Sequence, residues 1–201
     1  CAPCILIWGM TLAVCRSVRT PALFPLRLFA AAYTDIFRGI PVILTILLVG
    51  FGVPGLGLGR PWNSPYLWGS VALVLAYSSY VAEVFRAGIE SVHESQRAGA
   101  RSLGLSSGQT LRFVILPQAV RRVIPPLMND FVSLQKDVAL ISLIGPIEIL
   151  RQAGIDKSKF ANFTPYVGAA IIFLLLTIPE TRFVDHLMTR ERRRTSGTAV
   201  R

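Results

Sequence analysis

Apolar residues along the chain gather into four windows, at about 40–56, 66–85, 124–145 and 165–183. Each approaches the roughly 20 helical residues that cross a hydrocarbon layer about 30 Å thick. A fifth stretch, Ile5–Val18, falls a turn or two short of that length. The pattern predicts an all-α integral membrane fold of about five transmembrane helices in a single domain, 1–201. The first helix is expected to be incomplete and the N-terminus truncated, because Cys1 opens directly into apolar sequence with neither a Met nor a basic lead segment.

Composition agrees with the windows. Residues are 52% hydrophobic and only 16% charged, with a mean hydropathy of +0.54, too apolar to be divided between one soluble core and a wetted surface. The formal charge of +10 does not point to nucleic acid, since the basic residues lie between apolar runs and form no groove-reading face. Cys1 and Cys4 make a C-x-x-C, but no second pair or histidine cluster follows, so neither a metal site nor a redox turn is expected.

The arginines set the expected orientation, because basic residues flanking membrane helices are retained on the cytoplasmic side. Arg16, Arg19, Arg27 and Arg38 separate the first two helices. Arg86, Arg97, Arg101, Arg112, Arg121 and Arg122 separate the third and fourth, and Arg182, Arg190, Arg192, Arg193 and Arg194 lie beyond the fifth. The two remaining connections hold Arg60, and then Arg151, Lys157 and Lys159. Alternate connections thus carry 15 positive residues against 4, which places the C-terminus in the cytoplasm. The Gly- and Pro-rich stretch 52–65 is an external loop; its Gly55, Gly57 and Gly59 lack the G-x-G-x-x-G order of a dinucleotide site.

The connection from Arg86 to about Pro125 is far longer than the few residues that usually join packed helices. Ser91-Val-His-Glu94 has the spacing of a capping box and predicts a helix from Val92. Gly104 is suited to the left-handed turn that ends such a helix. Ser106-Ser107-Gly108-Gln109 repeats the box, and Pro117, which has no amide to donate, is expected to terminate the second helix. Two short helices meeting at a glycine elbow result.

Residues 81–154 resemble the inner-membrane permease subunits of ATP-binding-cassette importers for polar amino acids. Their loop motif runs E-A-A, three residues, Gly, nine residues, Ile-x-Leu-Pro. Ala100 matches its second Ala, Gly104 its Gly, Val114 its Ile, and Leu116-Pro117 its close. Arg101-Ser-Leu-Gly104, Leu116-Pro-Gln-Ala119, Lys136-Asp137 and Phe37-Arg-Gly-Ile-Pro41 are similar to further words of that family, and the resemblance extends over about 12–192. Ala98 and Gly99 depart from it, standing where the motif has Glu and Ala.

The resemblance implies an ATPase coupling loop at about 87–120, in which Ala100, Gly104, Ser106, Val114, Leu116 and Pro117 take part. It implies a partner ATPase that holds ATP and Mg, a second permease chain, identical or homologous, an external solute-binding protein, and residence in the bacterial inner membrane. No cofactor is expected on this chain, which has no G-x-x-x-x-G-K-[ST] phosphate loop. The family includes histidine-, glutamine- and ectoine-type permeases, and the wording at Thr164-Pro-Tyr166 and Leu176-Thr-Ile-Pro179 looks like members that carry compatible solutes such as ectoine.

Asn129, Asp130, Gln135, Lys136 and Asp137 interrupt the fourth apolar window. Two central charges at about 2.5–3.5 kcal/mol each cancel roughly ten apolar residues at 0.3–0.6 kcal/mol. This helix is therefore expected to face protein or a water-filled path. Asn129, Asp130, Lys136 and Asp137 are candidates for either the translocation path or a helix interface. Gly104-Leu-Ser106-Ser-Gly108 matches G-x-S-x-G, but no strand precedes it as a nucleophile elbow requires, and no catalytic residue is expected. A secondary transporter or channel working without ATP is the alternative; the halves show no internal repeat to support it.

Overall fold

The computed structural model describes residues 1–17, 21–57, 59 and 62–196, and among them the regular structure is entirely helical. Nine α-helices run α1 Ala2–Ser17, α2 Phe24–Gly39, α3 Val42–Gly52, α4 Pro65–Glu90, α5 Glu94–Ser102, α6 Ser107–Thr110, α7 Leu116–Asp137, α8 Ile149–Phe160 and α9 Thr164–Ser196. Helix α4 and the Thr164–Thr189 part of α9 are each long and apolar enough to cross a membrane. Two bent pairs supply the other long apolar segments, α2 with α3 at 104° and the α6–α7 stretch with α8 at 51°, and α1 is a shorter apolar helix. The five apolar segments follow in the expected order.

Their boundaries differ from the sequence reading in identifiable ways. The connection carrying Arg27 and Arg38 is itself helical, as α2. It ends because Ile40, preceding Pro41, is pushed into extended backbone (φ −95, ψ 131). The fourth window begins earlier, at Leu116, and after Asp137 tightens into a 3-10 turn over Val138–Ile144. Within α7, Pro125 and Pro126 leave two carbonyls without their usual amide donors. The basic-poor connection before α9 contains α8, whose first amides, of Leu150 and Arg151, donate to the Glu148 carboxylate at 2.8 Å each. Arg19 and Arg60 lie outside the described residues, as do the side chains of Arg190, Arg192, Arg193 and Arg194.

Helix α4 is the axis of the molecule. Ile5 of α1, Ile46 of α3, Ala72, Leu73, Tyr77 and Val81 of α4, Leu134 of α7, and Ile141 and Ile144 beyond it form one buried cluster. Small residues set the spacing of these seams, as they do where membrane helices pack closely. A Cβ on Gly9 would lie 2.6 Å from Val81, one on Gly69 2.8 Å from Ile141, and one on Gly50 2.5 Å from Ile144. A second cluster of Leu12, Ala30, Tyr33 and Ala82 holds α2 against α1 and α4, and the Tyr33 hydroxyl donates to the Leu75 carbonyl at 2.9 Å. Helix α9 is peripheral: 11% of its apolar window is buried against 50% for α4, and Ile171, Leu174, Leu175 and Ile178 face outward.

Candidate functional site: the helical elbow and the polar face of α7

The elbow forms, with two corrections to its caps. Ser91 closes α4 instead of opening α5, and its hydroxyl donates to the Gly88 carbonyl at 2.7 Å. Helix α5 starts two residues later than the Ser91 box predicts. Its cap is His93, whose Nδ1 accepts from the Ser95 amide at 3.2 Å. Continuation of α4 through Glu90 competes with the first box and wins, because Ile89 and Val92 are drawn into a small buried cluster with Ile115 and Ala119.

Gly104 takes the left-handed conformation (φ 82). Leu105 N–H donates to the Ala100 carbonyl (3.2 Å) and Gly104 N–H to that of Arg101 (3.0 Å), the paired bonds of a Schellman closure. The second box forms as expected. Ser106 Oγ accepts from the Gln109 amide (3.3 Å), while the Gln109 side chain accepts from the Ser106 amide (2.9 Å). Arg101 bridges the two helices by donating to Ser107 Oγ.

Pro117 does not end this helix. Residues Leu111–Ile115 open into a π turn, and Leu116 N–H reaches the Leu111 carbonyl, one residue beyond α-helical register. The slip absorbs the missing amide of Pro117, which sits in the first turn of α7. The elbow therefore continues without a break into the α7 membrane segment. Gln118 clamps its base, donating to Val114 O (3.0 Å) and to Gln96 on α5 (3.4 Å). Arg97 donates to Ile89 O (3.3 Å) and Arg122 to Ser91 O.

Ala100, Gly104 and Ser106 thus share one turn, whereas Val114, Leu116 and Pro117 lie at the base of the elbow. Ala100 and Thr110 are buried between the helices; Leu103 is 84% exposed and Phe113 62% exposed. A groove of about 380 Å³ between α5 and α6 is lined by Ala98 among others, the position at which the motif has a glutamate.

The polar residues of α7 divide between two faces. Asn129 and Lys136, seven residues apart, are exposed on the outside of this chain. Asp130 and Asp137 turn toward α4. Asp137 accepts from the Tyr77 hydroxyl at 2.8 Å. Asp130 Oδ2 is buried with no hydrogen-bond donor in reach among the described residues. It borders two cavities, one of about 350 Å³ that also meets Arg38, Glu83 and Arg122, the other of about 250 Å³ and largely apolar around Tyr77, Met128 and Phe131. Gln135, with its amide nitrogen turned toward α9, donates to Glu180 at 2.7 Å.

Sequence reasoning missed the charge center at Glu83. Arg16 of α1 (3.2 Å), Arg38 at the end of α2 (3.6 Å) and Arg86 of α4 all meet its carboxylate, and Arg86 also reaches Glu90 at 2.5 Å. The i, i+3 and i, i+4 spacing around Arg86 is a local signal for part of it. The contributions of α1 and α2 come only from the tertiary fold.

An all-helical bundle of apolar segments with a helical elbow leading into one of them is the architecture of a polytopic membrane protein. The chain belongs to the family of binding-protein-dependent transport system inner membrane components, whose model matches residues 5–193. It is 35% identical over 185 residues to a Bacillus subtilis protein described as a "probable glutamine ABC transporter permease protein GlnM", covering 92% of this chain and 83% of that one. The arginine transport system permease protein ArtQ of the same organism is 32% identical over 176 residues, with 86% and 77% covered. The crystal structure of an amino acid ABC transporter with histidines has the same fold, with a TM-score of 0.85, 32% identity and coverage of 94% of this chain and 86% of the solved one. The chain is thus a multi-pass membrane protein of the amino-acid ABC permease type.

Proposed function

We propose that this chain forms one half of the transmembrane pathway of an importer for a polar amino acid or a related zwitterion such as ectoine, driven by ATP hydrolysis on a separate subunit. The observation that carries the reading is the elbow: α5 and α6, locked at Gly104 and continuous with α7, present Leu103 and Phe113 away from the bundle. A rigid lever of this kind transmits closure of an ATPase into movement of α7. ATP and Mg are held by the ATPase, a second permease chain completes the pathway, and an external binding protein delivers the solute. The arginine-rich connections and the C-terminus face the cytoplasm.

The expected result on purification is that the chain alone hydrolyses no ATP and is recovered with an ATP-binding-cassette subunit. With the three native cysteines replaced by serine, Leu103→Cys carrying a thiol-attached photo-cross-linker is expected to couple to that subunit on illumination. Robust hydrolysis by the isolated chain, or no association in any detergent, contradicts the reading.

Within the pathway we assign Asp130 to the solute route and Asp137 to the joint between α4 and α7, since Asp137 has a partner in Tyr77 and Asp130 has none. Asp130→Asn is predicted to lower solute uptake at least tenfold with unchanged thermal stability. Asp137→Asn, which still accepts from Tyr77, is predicted to keep most uptake, while Tyr77→Phe costs about 1 kcal/mol of stability. Uptake assays beside thermal melts check the pair, and the reverse ranking would exchange the two roles.

A further inference from the structure

Helix α2 is placed for a task that importing a solute does not explain. It turns 104° away from α3. Helix α3 itself lies along α4, with Ile46 clustered against Ala72 and Leu73, and with Gly50 and Gly69 both against Ile144. Helix α2 therefore runs nearly at right angles to the membrane-crossing axis. Its depth is fixed by Arg38 and Arg16 on Glu83, three side chains that mark a charged level near the arginine-rich end of α4.

Around α2 the residues sort into three sides and an outer arc, on which Leu28, 58% exposed, stands beside Asp35. Ala30, Tyr33 and Thr34 pack inward. At 100° per residue, Phe29, Ile36 and Tyr33 fall within about 60° of one another, and Arg27 and Arg38 lie about 160° round from them. The two sides can be oriented by their contacts. Tyr33 reaches the Leu75 carbonyl, about two turns of α4 away from Glu83 on the side of the membrane interior, and Arg38 reaches Glu83 itself. Phe29 and Ile36, each 54% exposed, thus point toward the acyl chains. Arg27, whose guanidinium lies 5.7 Å from the Phe24 ring centroid, points toward the polar surface.

We propose that α2 is an interfacial helix lying in the arginine-side headgroup layer, with Phe29 and Ile36 seated in the acyl boundary and Arg27 binding the phosphate of an anionic phospholipid. An apolar side, a basic side and an axis in the membrane plane are what such a helix requires. Arg27 is free for this role, because among the described residues no carboxylate pairs with it, whereas Arg16, Arg38 and Arg86 are engaged by Glu83. The proposal rests on the sidedness given above but not on transport, so its test uses no transport readout.

Nitroxide labels are placed singly at Phe29→Cys, Ile36→Cys and Asp35→Cys in the full chain with its three native cysteines replaced by serine, in phosphatidylcholine vesicles with and without phosphatidylglycerol. Labels at 29 and 36 are expected to collide with oxygen more than with a water-soluble nickel chelate, and the label at 35 the reverse. Spin-labelled phosphatidylglycerol is expected to associate with the unlabelled chain about fivefold better than phosphatidylcholine; Arg27→Gln removes that preference and Arg27→Lys retains it. Nickel access at 29 and 36 would place α2 in water. Exclusion of both reagents would mean that a second copy covers the flank, and an unchanged lipid preference in Arg27→Gln would remove the headgroup assignment. Each of these results overturns the proposal.

Discussion

Replacing Gly104 by Asp is expected to abolish most solute uptake while leaving the membrane bundle folded. The φ of 82 at Gly104 is a region in which a Cβ costs about 1–2 kcal/mol. No neighbouring atom lies within 4 Å of where that Cβ would stand, so the cost is conformational and local to the turn. None of the buried contacts of α1, α3, α4 or α7 involves it. The elbow, however, loses the Schellman closure that sets the angle between α5 and α6, and a carboxylate is added to the surface proposed above to meet the ATPase. Uptake is predicted to fall at least tenfold and stimulation of the ATPase to fall with it, at normal protein levels in the membrane. Gly104→Asn, which suits a helix C′ position and adds no charge there, is expected to keep more activity than Gly104→Asp. Ser106→Ala, losing one cap worth about 1 kcal/mol, shifts activity in the same direction by less. Ser91→Ala is expected to be nearly silent, because Ser91 does not cap α5. Uptake and ATPase stimulation in reconstituted vesicles, beside an expression check, decide the series. Wild-type uptake by Gly104→Asp would detach the elbow from coupling.

Glu83→Ala should be the most damaging single change to stability. It leaves Arg16 and Arg38 facing each other and Arg86 with Glu90 alone. Glu83 keeps 22% of its side-chain surface accessible, so the loss is set at about 2–3 kcal/mol, below the range for removing one member of a fully buried pair. Glu90→Ala, at an exposed position, is expected to cost under about 1 kcal/mol. Thermal melts of the detergent-solubilised chain check both. Equal melting of Glu83→Ala and the parent would show that the three arginines hold no helices together.

The legible part of the fold is what local sequence controls. Apolar length located α4 and α9 to within a few residues, except that α9 continues well past 183 along its basic end. Gly104 and Ser106 were readable because their signals are backbone geometry and a three-residue spacing. Pro117 was misread because a proline forbids a bond only in α-helical register, and a π turn changes the register. Ser91 was misread because a capping box competes with the preceding helix, and burial of Val92 decided that competition. Helix α2 was hidden in a stretch too polar for a span; its helical character shows only as amphipathic spacing. The division of α7 into an Asp130–Asp137 face and an Asn129–Lys136 face follows from helical periodicity. Which face meets α4 required the fold, and so did the Glu83 center, since Arg16 and Arg38 are separated from it by 45 or more residues.

The central claim is that solute moves through this chain only when an ATPase pushes on its elbow. It is tested most directly by counting radiolabelled polar amino acids and ectoine taken up by vesicles that contain the chain and its binding protein, with the ATPase subunit and ATP each present or absent. Uptake against a gradient is expected only when both are present, and at a level at least tenfold lower with Gly104→Asp. Uptake of equal rate without the ATPase subunit or without ATP would contradict it and identify a transporter powered by another gradient.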